Sequence, residues 1–210
     1  MADSPDTPAR RPRCAVCLRP QSTCLCRWVT PTPHRTEVLI LQHPMEVAEA
    51  KGSARLLHLS LPGSRMLTGE VFGAALDAAL QGPHDNLLLF PETGREAGAG
   101  LSPPVTEAAW RQPPAPLRLV VLDGTWRKSR KMLLLNPQLQ HMRRLSLTAT
   151  PASRYRIRKA HEAHQLSTLE ATCLALAQLE GSEVAMQPLL DAFDGFVGEQ
   201  FARRPTTLSD

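Results

Sequence analysis

The sequence lacks the long apolar segment that a membrane-spanning helix requires. Its longest apolar run is far shorter than the roughly 18 residues that are needed to cross a bilayer. Its first residues are polar and rich in Arg and Pro, without the apolar centre of a secretory signal. We therefore expect a cytoplasmic protein with no membrane partner.

Glycine-rich nucleotide motifs are missing as well, and aromatic residues are few. The chain has neither a Gly-x-Gly-x-x-Gly segment nor a Walker loop, which excludes the standard dinucleotide and nucleoside triphosphate sites. Only 3 Trp, 1 Tyr and 5 Phe occur among 210 residues, of which 42% are hydrophobic. This composition is sufficient for one good core with a small appended module at an end.

Four of the five cysteines lie close together, as Cys14-x-x-Cys17 and Cys24-x-Cys26. Thiols stay reduced in the cytoplasm, and four thiolates supply the tetrahedral ligand set of a structural zinc ion. We therefore predict a zinc site, with a reduced, metal-free tail as the alternative. The fifth cysteine, Cys173, falls in an apolar run and is expected to be a small buried hydrophobic residue.

Composition also divides the chain into three parts. Residues 1–13 are rich in Pro, Arg and small polar residues and are predicted to form a disordered lead. The zinc-binding module is predicted to cover residues 14–30, and the rest of the chain, 31–210, is expected to form one α/β domain.

In this larger part, strand-like apolar runs alternate with helical patterns. Strands are predicted at 37–42, 65–68, 86–90, 117–122 and 144–147, and helices at 51–59, 72–80, 105–110, 126–135, 167–179 and 184–201. This alternation is typical of a mainly parallel sheet with helices on both faces. Ligands bind beyond the carboxyl ends of such strands, so we expect the site at the loops after Phe90, at 123–126 and at 148–165.

One predicted strand ends in an acid and is followed by a strongly basic helix. The apolar run Val120-Val121-Leu122 leads directly to Asp123. Between Arg127 and Lys159 the chain has ten of its 24 Lys and Arg residues and no Asp or Glu. An anionic partner is therefore expected for this part of the chain.

The segment Asp123-Gly124-Thr125-Trp126 matches the Asp-x-Thr-Trp signature of the DTW-domain family. Five further segments resemble blocks of that family in the same order, so that the resemblance covers residues 14–175. They are the two cysteine pairs, His43-Pro44 with Ala54-Arg55-Leu56-Leu57, Leu89-Phe90-Pro91, Ser153-Arg154-Tyr155-Arg156-Ile157-Arg158-Lys159, and Leu166-Ser167-Thr168-Leu169-Glu170-Ala171.

The resemblance implies a SPOUT-like catalytic domain at 31–210 with a C-terminal knot. The family's characterised members are tRNA-uridine aminocarboxypropyltransferases. The expected reaction moves the 3-amino-3-carboxypropyl group of S-adenosyl-L-methionine to N3 of a tRNA uridine and releases methylthioadenosine. The expected partner is tRNA, and the protein is expected to be a monomer or a homodimer. The alternatives are an RNA methyltransferase that uses the same cofactor and a non-catalytic, zinc-containing RNA-binding protein.

The resemblance also implies where the cofactor and the chemistry lie. Asp123 is the candidate catalytic residue, as the base for the N3 proton of uridine, and its alternative role is to cap the following helix. Trp126 either stacks on a base or packs near the site, and Glu170 lies at capping-box distance from Ser167. The expected cofactor-binding residues are Leu89, Phe90, Pro91, Leu122, Gly124, Thr125, Trp126, Leu166, Ser167 and Thr168.

The basic window is expected to bind the tRNA backbone, although a solvated charged helix remains the alternative for some of its residues. Tyr155 either stacks on a base or packs on the domain. Where the family has a Pro after the Arg158-Lys159 pair, this chain has two histidines, His161 and His164, so the lip of the site is expected to differ. The expected RNA-binding residues are Arg127, Lys128, Arg130, Lys131, Arg154, Tyr155, Arg156, Arg158 and Lys159.

Overall fold

A central sheet of five parallel strands, in the order β2-β1-β4-β3-β5, organises the chain. The computed structural model describes residues 12–49, 52–91, 104–106, 110, 113, 115–147 and 166–202. The strands are β1 at Glu37–Gln42, β2 at Arg65–Thr68, β3 at Asp85–Leu89, β4 at Leu117–Asp123 and β5 at Arg143–Leu145. The predicted parallel α/β architecture is confirmed for these ranges.

Helices cover both faces of the sheet, because the strand side chains alternate between two apolar cores. In β1, Val38 and Ile40 join one core, whereas Leu39 and Leu41 join the other. The first core includes side chains from α1 at Ala54–Ser60, α5 at Thr168–Glu180 and α6 at Gln187–Ala202. The second includes side chains from α2 at Ala74–Leu80, α3 at Trp126–Leu135 and α4 at Pro137–Gln140.

Several element ends differ from the sequence prediction. Strand β5 is shorter than predicted, and the last predicted helix begins with a separate 3-10 turn at Val184–Met186. The short helix α4 was not predicted; Pro137 begins it, which suits the fixed backbone angle of proline. Residues 107–109 of the predicted helix at 105–110, the connection 148–165 and residues 1–11 of the predicted lead lie outside the described residues. No helix in the described ranges is both long and apolar enough to cross a bilayer.

The cysteine segment packs against the carboxyl-terminal helix α6. The indole of Trp28 donates a hydrogen bond of 2.9 Å from Nε1 to Oε2 of Glu199, which also pairs with Arg27. The same indole lies directly over Gly195, where an added Cβ would stand only 2.1 Å from a ring carbon. With Cys17 buried in the first core, this segment is packed as part of the domain.

An ionic cluster around the buried Arg118 lies at the opposite end of the sheet from the cleft described below. Glu37, at the start of β1, accepts hydrogen bonds from Arg65 and Arg118, and its Oε2 lies 3.1 Å from Nε2 of His84. The side chain of Arg118 is almost fully buried. Burial raises the pKa of Glu37, but the hydrogen bonds and charges of Arg118 and Arg65 outweigh it and hold that pKa below its usual value of 4.5.

Candidate active site and metal centre

A polar cleft of about 260 Å³ lies at the carboxyl ends of β1 and β4. The loop after β1, the turn after β4 and the first residues of α5 form its walls. This is the edge of a parallel sheet where ligands bind in α/β proteins. The lining residues are Glu46, Glu49, Gly52, Ser53, Asp123, Gly124, Thr125, Lys128, Ser167 and Thr168.

Asp123 lines this cleft and is only 5% exposed. Its Oδ2 accepts a hydrogen bond of 2.9 Å from Nε2 of Gln42, its register partner at the end of β1. Its Oδ1 accepts one of 2.7 Å from Oγ1 of Thr168, the first residue of α5. The carboxylate therefore joins three elements, and both of these bonds run to elements other than the helix that follows it.

An ion pair that the sequence did not predict forms part of the cleft lining. Nζ of Lys128 lies 2.8 Å from Oε1 of Glu46, and the two side chains are only 20% and 16% exposed. The basic window contains no acidic residue in sequence, but the fold brings this partner in from 82 positions away. The position of Glu46 just after β1 could have indicated this contact from the sequence, because the carboxyl ends of β1 and β4 meet at one edge of the sheet.

Side chains at the start of α5 close the third wall. Oγ of Ser167 accepts from the backbone N–H of Glu170 at 3.2 Å, and Oε2 of Glu170 accepts from the N–H of Ser167 at 2.8 Å. The predicted capping box is thus confirmed. Ser53 precedes α1 but makes no side-chain cap there; its Oγ instead accepts from the N–H of Leu169 at 3.3 Å. A side chain at the start of α1 is therefore bonded to the start of α5.

The four clustered cysteines have the geometry of a tetrahedral metal site. All four Sγ atoms lie within 4.8 Å of one another, and the pairs Cys14–Cys26 and Cys17–Cys24 are 3.6 and 3.8 Å apart. Zinc–sulfur bonds of about 2.3 Å would place the sulfurs about 3.8 Å apart. Backbone N–H groups of Cys17 and Val16 lower the pKa of Cys14 to about 6, whereas burial raises the pKa of Cys26 to about 12, so the fit to a metal rests on the geometry of the sulfurs. These residues therefore fit a bound metal ion.

The sequence matches the DTW domain family over residues 11–201. The chain belongs to the DTW domain family. It is 33% identical over 196 residues to tRNA-uridine aminocarboxypropyltransferase 2 of Drosophila melanogaster, covering 89% of this chain and 74% of that protein. It is 31% identical over 188 residues to the protein of the same name in Macaca fascicularis, covering 86% and 61%.

A plant relative agrees with these animal proteins. The DTW chain is 33% identical over 152 residues to tRNA-uridine aminocarboxypropyltransferase A of Arabidopsis thaliana, covering 63% of this chain and 54% of that protein. The matched region spans about three fifths of the length of the macaque relative. No solved structure matches the chain.

In this DTW chain the signature residues divide between the cleft and an aromatic stack. Gly124, Thr125, Ser167 and Thr168 line the cleft, as Asp123 does. Trp126 is 49% exposed and stacks on the buried ring of Phe90, with centroids 5.2 Å apart and 14° between the planes. The six predicted cofactor residues that are not part of the cleft lining are Leu89, Phe90, Pro91, Leu122, Trp126 and Leu166.

The basic residues of α3 also separate into two kinds. Nζ of Lys131 lies 2.8 Å from Oε2 of Glu70. The hydrogen bond from Lys131, and to a smaller extent that from His43, holds the pKa of Glu70 below its usual value. Arg127 and Arg130 are exposed and have no ion-pair partner in the part of the chain that the structure describes. The other predicted contacts fall outside it: Arg154, Tyr155, Arg156, Arg158 and Lys159, with His161 and His164.

Proposed function

We propose that this chain transfers the 3-amino-3-carboxypropyl group of S-adenosyl-L-methionine to N3 of a tRNA uridine and releases methylthioadenosine. Membership in the DTW domain family and the names of the relatives support this reaction. The observation that carries it in the structure is an acidic cleft placed beside an exposed basic helix surface.

The charge of the cleft suits the sulfonium donor better than it suits RNA. The lining includes the carboxyl groups of Glu46, Glu49 and Asp123 against the single ammonium of Lys128. S-adenosyl-L-methionine has one more positive than negative charge, so the cleft attracts it, whereas phosphate groups are repelled. The product methylthioadenosine is neutral and loses this attraction. The exposed Arg127 and Arg130 supply the surface for phosphate contacts.

In the proposed reaction, N3 of uridine attacks the carbon of the aminocarboxypropyl group that is bonded to sulfur. The carbon–sulfur bond breaks, and its electron pair leaves with sulfur as a neutral thioether. Asp123 is the candidate to accept the N3 proton, because its carboxylate lines the cleft and is oriented there by the hydrogen bonds from Gln42 and Thr168.

The wider site follows from the same proposal. The donor extends from the cleft across the signature turn towards the Phe90–Trp126 stack, whose half-exposed indole supplies a face for a nucleobase. The four cysteines hold a structural zinc ion, whose filled coordination sphere supplies stability and not catalysis. A SPOUT-like fold with a C-terminal knot, and action on tRNA in the cytoplasm, complete the proposal; the parallel sheet supports the fold.

Mass spectrometry of nucleosides tests the reaction directly. Unmodified tRNA is incubated with the purified protein and S-adenosyl-L-methionine, and the digest is searched for aminocarboxypropyluridine alongside methylthioadenosine. A methylated nucleoside would instead support the RNA methyltransferase. Binding of tRNA without any new nucleoside would support the zinc-containing RNA-binding protein.

A further inference from the structure

We infer that Lys128 and Glu46 together recognise the amino-acid end of the donor, Lys128 through its carboxylate and Glu46 through its ammonium. This inference rests on the proposed function and adds to it the residues that select the transferred group. It also moves Lys128 from the RNA-binding surface, where the sequence placed it, to the donor site.

The position of the pair is the first argument. Both side chains line the cleft that Asp123 and Thr168 also line, and both are largely buried against its wall. The neighbouring pair on the same helix, Lys131 and Glu70, is more exposed, at 58% and 32%, and neither residue belongs to the cleft lining. Two similar ion pairs on one helix thus differ in whether they face the cleft.

The chemistry of the pair is the second argument. An ammonium has three N–H donors and a carboxylate has about four acceptor sites, so one hydrogen bond of 2.8 Å leaves hydrogen-bonding capacity on each partner. An α-amino acid presents a carboxylate and an ammonium side by side. Placed against Lys128 and Glu46 with opposite charges facing, it completes a ring of alternating charges without leaving any charge unpaired.

The local field is the third argument. The turn at Gly124 and Thr125 begins α3, a helix of 10 residues whose amino-terminal end has partial positive charge. This end favours the donor's carboxylate near Lys128. The carboxyl groups of Glu49 and Asp123 favour the sulfonium and the ammonium elsewhere in the cleft. The rest of the lining attracts the donor only through its positive charges. The Lys128–Glu46 pair therefore fixes the orientation of the donor's amino-acid end.

Titration calorimetry without tRNA tests the inference with ligands that differ in one group. We expect the wild-type protein to bind S-adenosyl-L-methionine at least about tenfold more tightly than its decarboxylated analogue, since that analogue cannot accept the charge-assisted hydrogen bond. In Lys128→Gln this ratio should fall to within about twofold, and Lys128→Arg should retain part of it. Glu46→Gln should instead reduce the preference over the 2-oxo analogue, which lacks the ammonium.

Lys131→Gln is the matched control, because it breaks the equivalent pair outside the cleft and should leave both ratios at the wild-type value. Thermal unfolding of each variant confirms that the fold is retained. An unchanged ratio in folded Lys128→Gln would overturn this inference and leave the proposed reaction standing. Failure of the wild-type protein to bind the donor at all would overturn both.

Discussion

Thr168, the first residue of α5, donates a hydrogen bond of 2.7 Å to the carboxylate of Asp123 at the end of β4. The 45 positions between them include a connection that lies outside the described residues, yet the two side chains meet in the cleft. This bond fixes the direction of the candidate base and fastens the helix that closes the third wall.

Replacing Asp123 with Asn should abolish most of the transfer activity while leaving the chain folded. Loss of a positioned base typically costs about 10²–10⁴-fold in rate. In the Asn variant, the new side-chain amide nitrogen must face either the N–H donor of Gln42 or the O–H donor of Thr168. We therefore also expect about 1–3 kcal/mol of destabilisation. Single-turnover nucleoside analysis and urea unfolding measure the two effects.

Thr168→Ser, which keeps the hydroxyl, is the control for Thr168→Val; equal rates in these two variants would argue against the orienting role.

Removing one clustered cysteine should remove the metal. Cys17→Ser is expected to lower the zinc content of the purified protein from one ion per chain towards zero and to lower its Tm by about 5–10 °C. Elemental analysis and calorimetry measure these changes. Cys173 is the control, because it is buried in the first core but is not one of the four clustered sulfurs, and burial raises its pKa to about 12. Loss of zinc from Cys173→Ala as well would count against the assigned ligand set.

Two glycines of α6 should respond oppositely to alanine. In Gly195→Ala the new methyl group would stand 2.1 Å from the Trp28 ring, so the indole must move, at a cost of about 1–3 kcal/mol. In Gly198→Ala the new Cβ has no atom of the described residues within 4 Å beyond its chain neighbours and the helix's own backbone, and the higher helix propensity of alanine should stabilise the protein by up to about 1 kcal/mol. Denaturant unfolding compares them. Equal stabilities would show that Trp28 does not pack tightly on α6.

The Glu37 cluster should make stability depend on pH on the acid side. Its folded-state pKa is lowered by Arg118 and Arg65, so its contribution is fully present above the unfolded value near 4.5. That contribution is lost as the pH falls below 4.5 through the folded value. Glu37→Gln leaves the buried Arg118 without its counter-ion and should cost about 3 kcal/mol at pH 7. The difference from wild type, measured by denaturant unfolding, should shrink between pH 5 and pH 3, whereas a constant difference would rule out this ionic origin.

The exposed arginines of α3 should govern tRNA affinity through charge alone. Arg127→Gln combined with Arg130→Gln is expected to weaken binding to any tRNA and to reduce the slope of affinity against salt by about one for each phosphate that the variant no longer neutralises. Filter binding over a range of salt concentrations measures the slope. Lys128→Gln is the comparison. Because the ammonium of Lys128 belongs to the cleft, this substitution should leave the salt slope of tRNA affinity unchanged. A reduced slope in that variant would return Lys128 to the RNA surface.

Local patterns explain which parts of the fold the sequence predicts well. Helix α3 has the bounds predicted for it, and the Ser167–Glu170 capping box forms, because each depends on residues within a few positions of one another. Interactions between distant segments were missed. Ser53 has the residue type of a helix cap, but its hydroxyl bonds Leu169, 116 positions away. Similarly, the Lys128–Glu46 pair depends on the register of β1 against β4, which residue spacing does not specify.

The Trp28 indole packs on Gly195 and bonds Glu199, and these contacts attach the cysteine segment to helix α6. An ion held by the four sulfurs then acts as a folding ligand for the whole chain, because unfolding α6 would also displace the segment that holds it. Each tenfold rise in free metal above its dissociation constant would add about 1.4 kcal/mol to the stability of the folded state. The abundance of the folded protein would thereby follow the supply of metal in the cell.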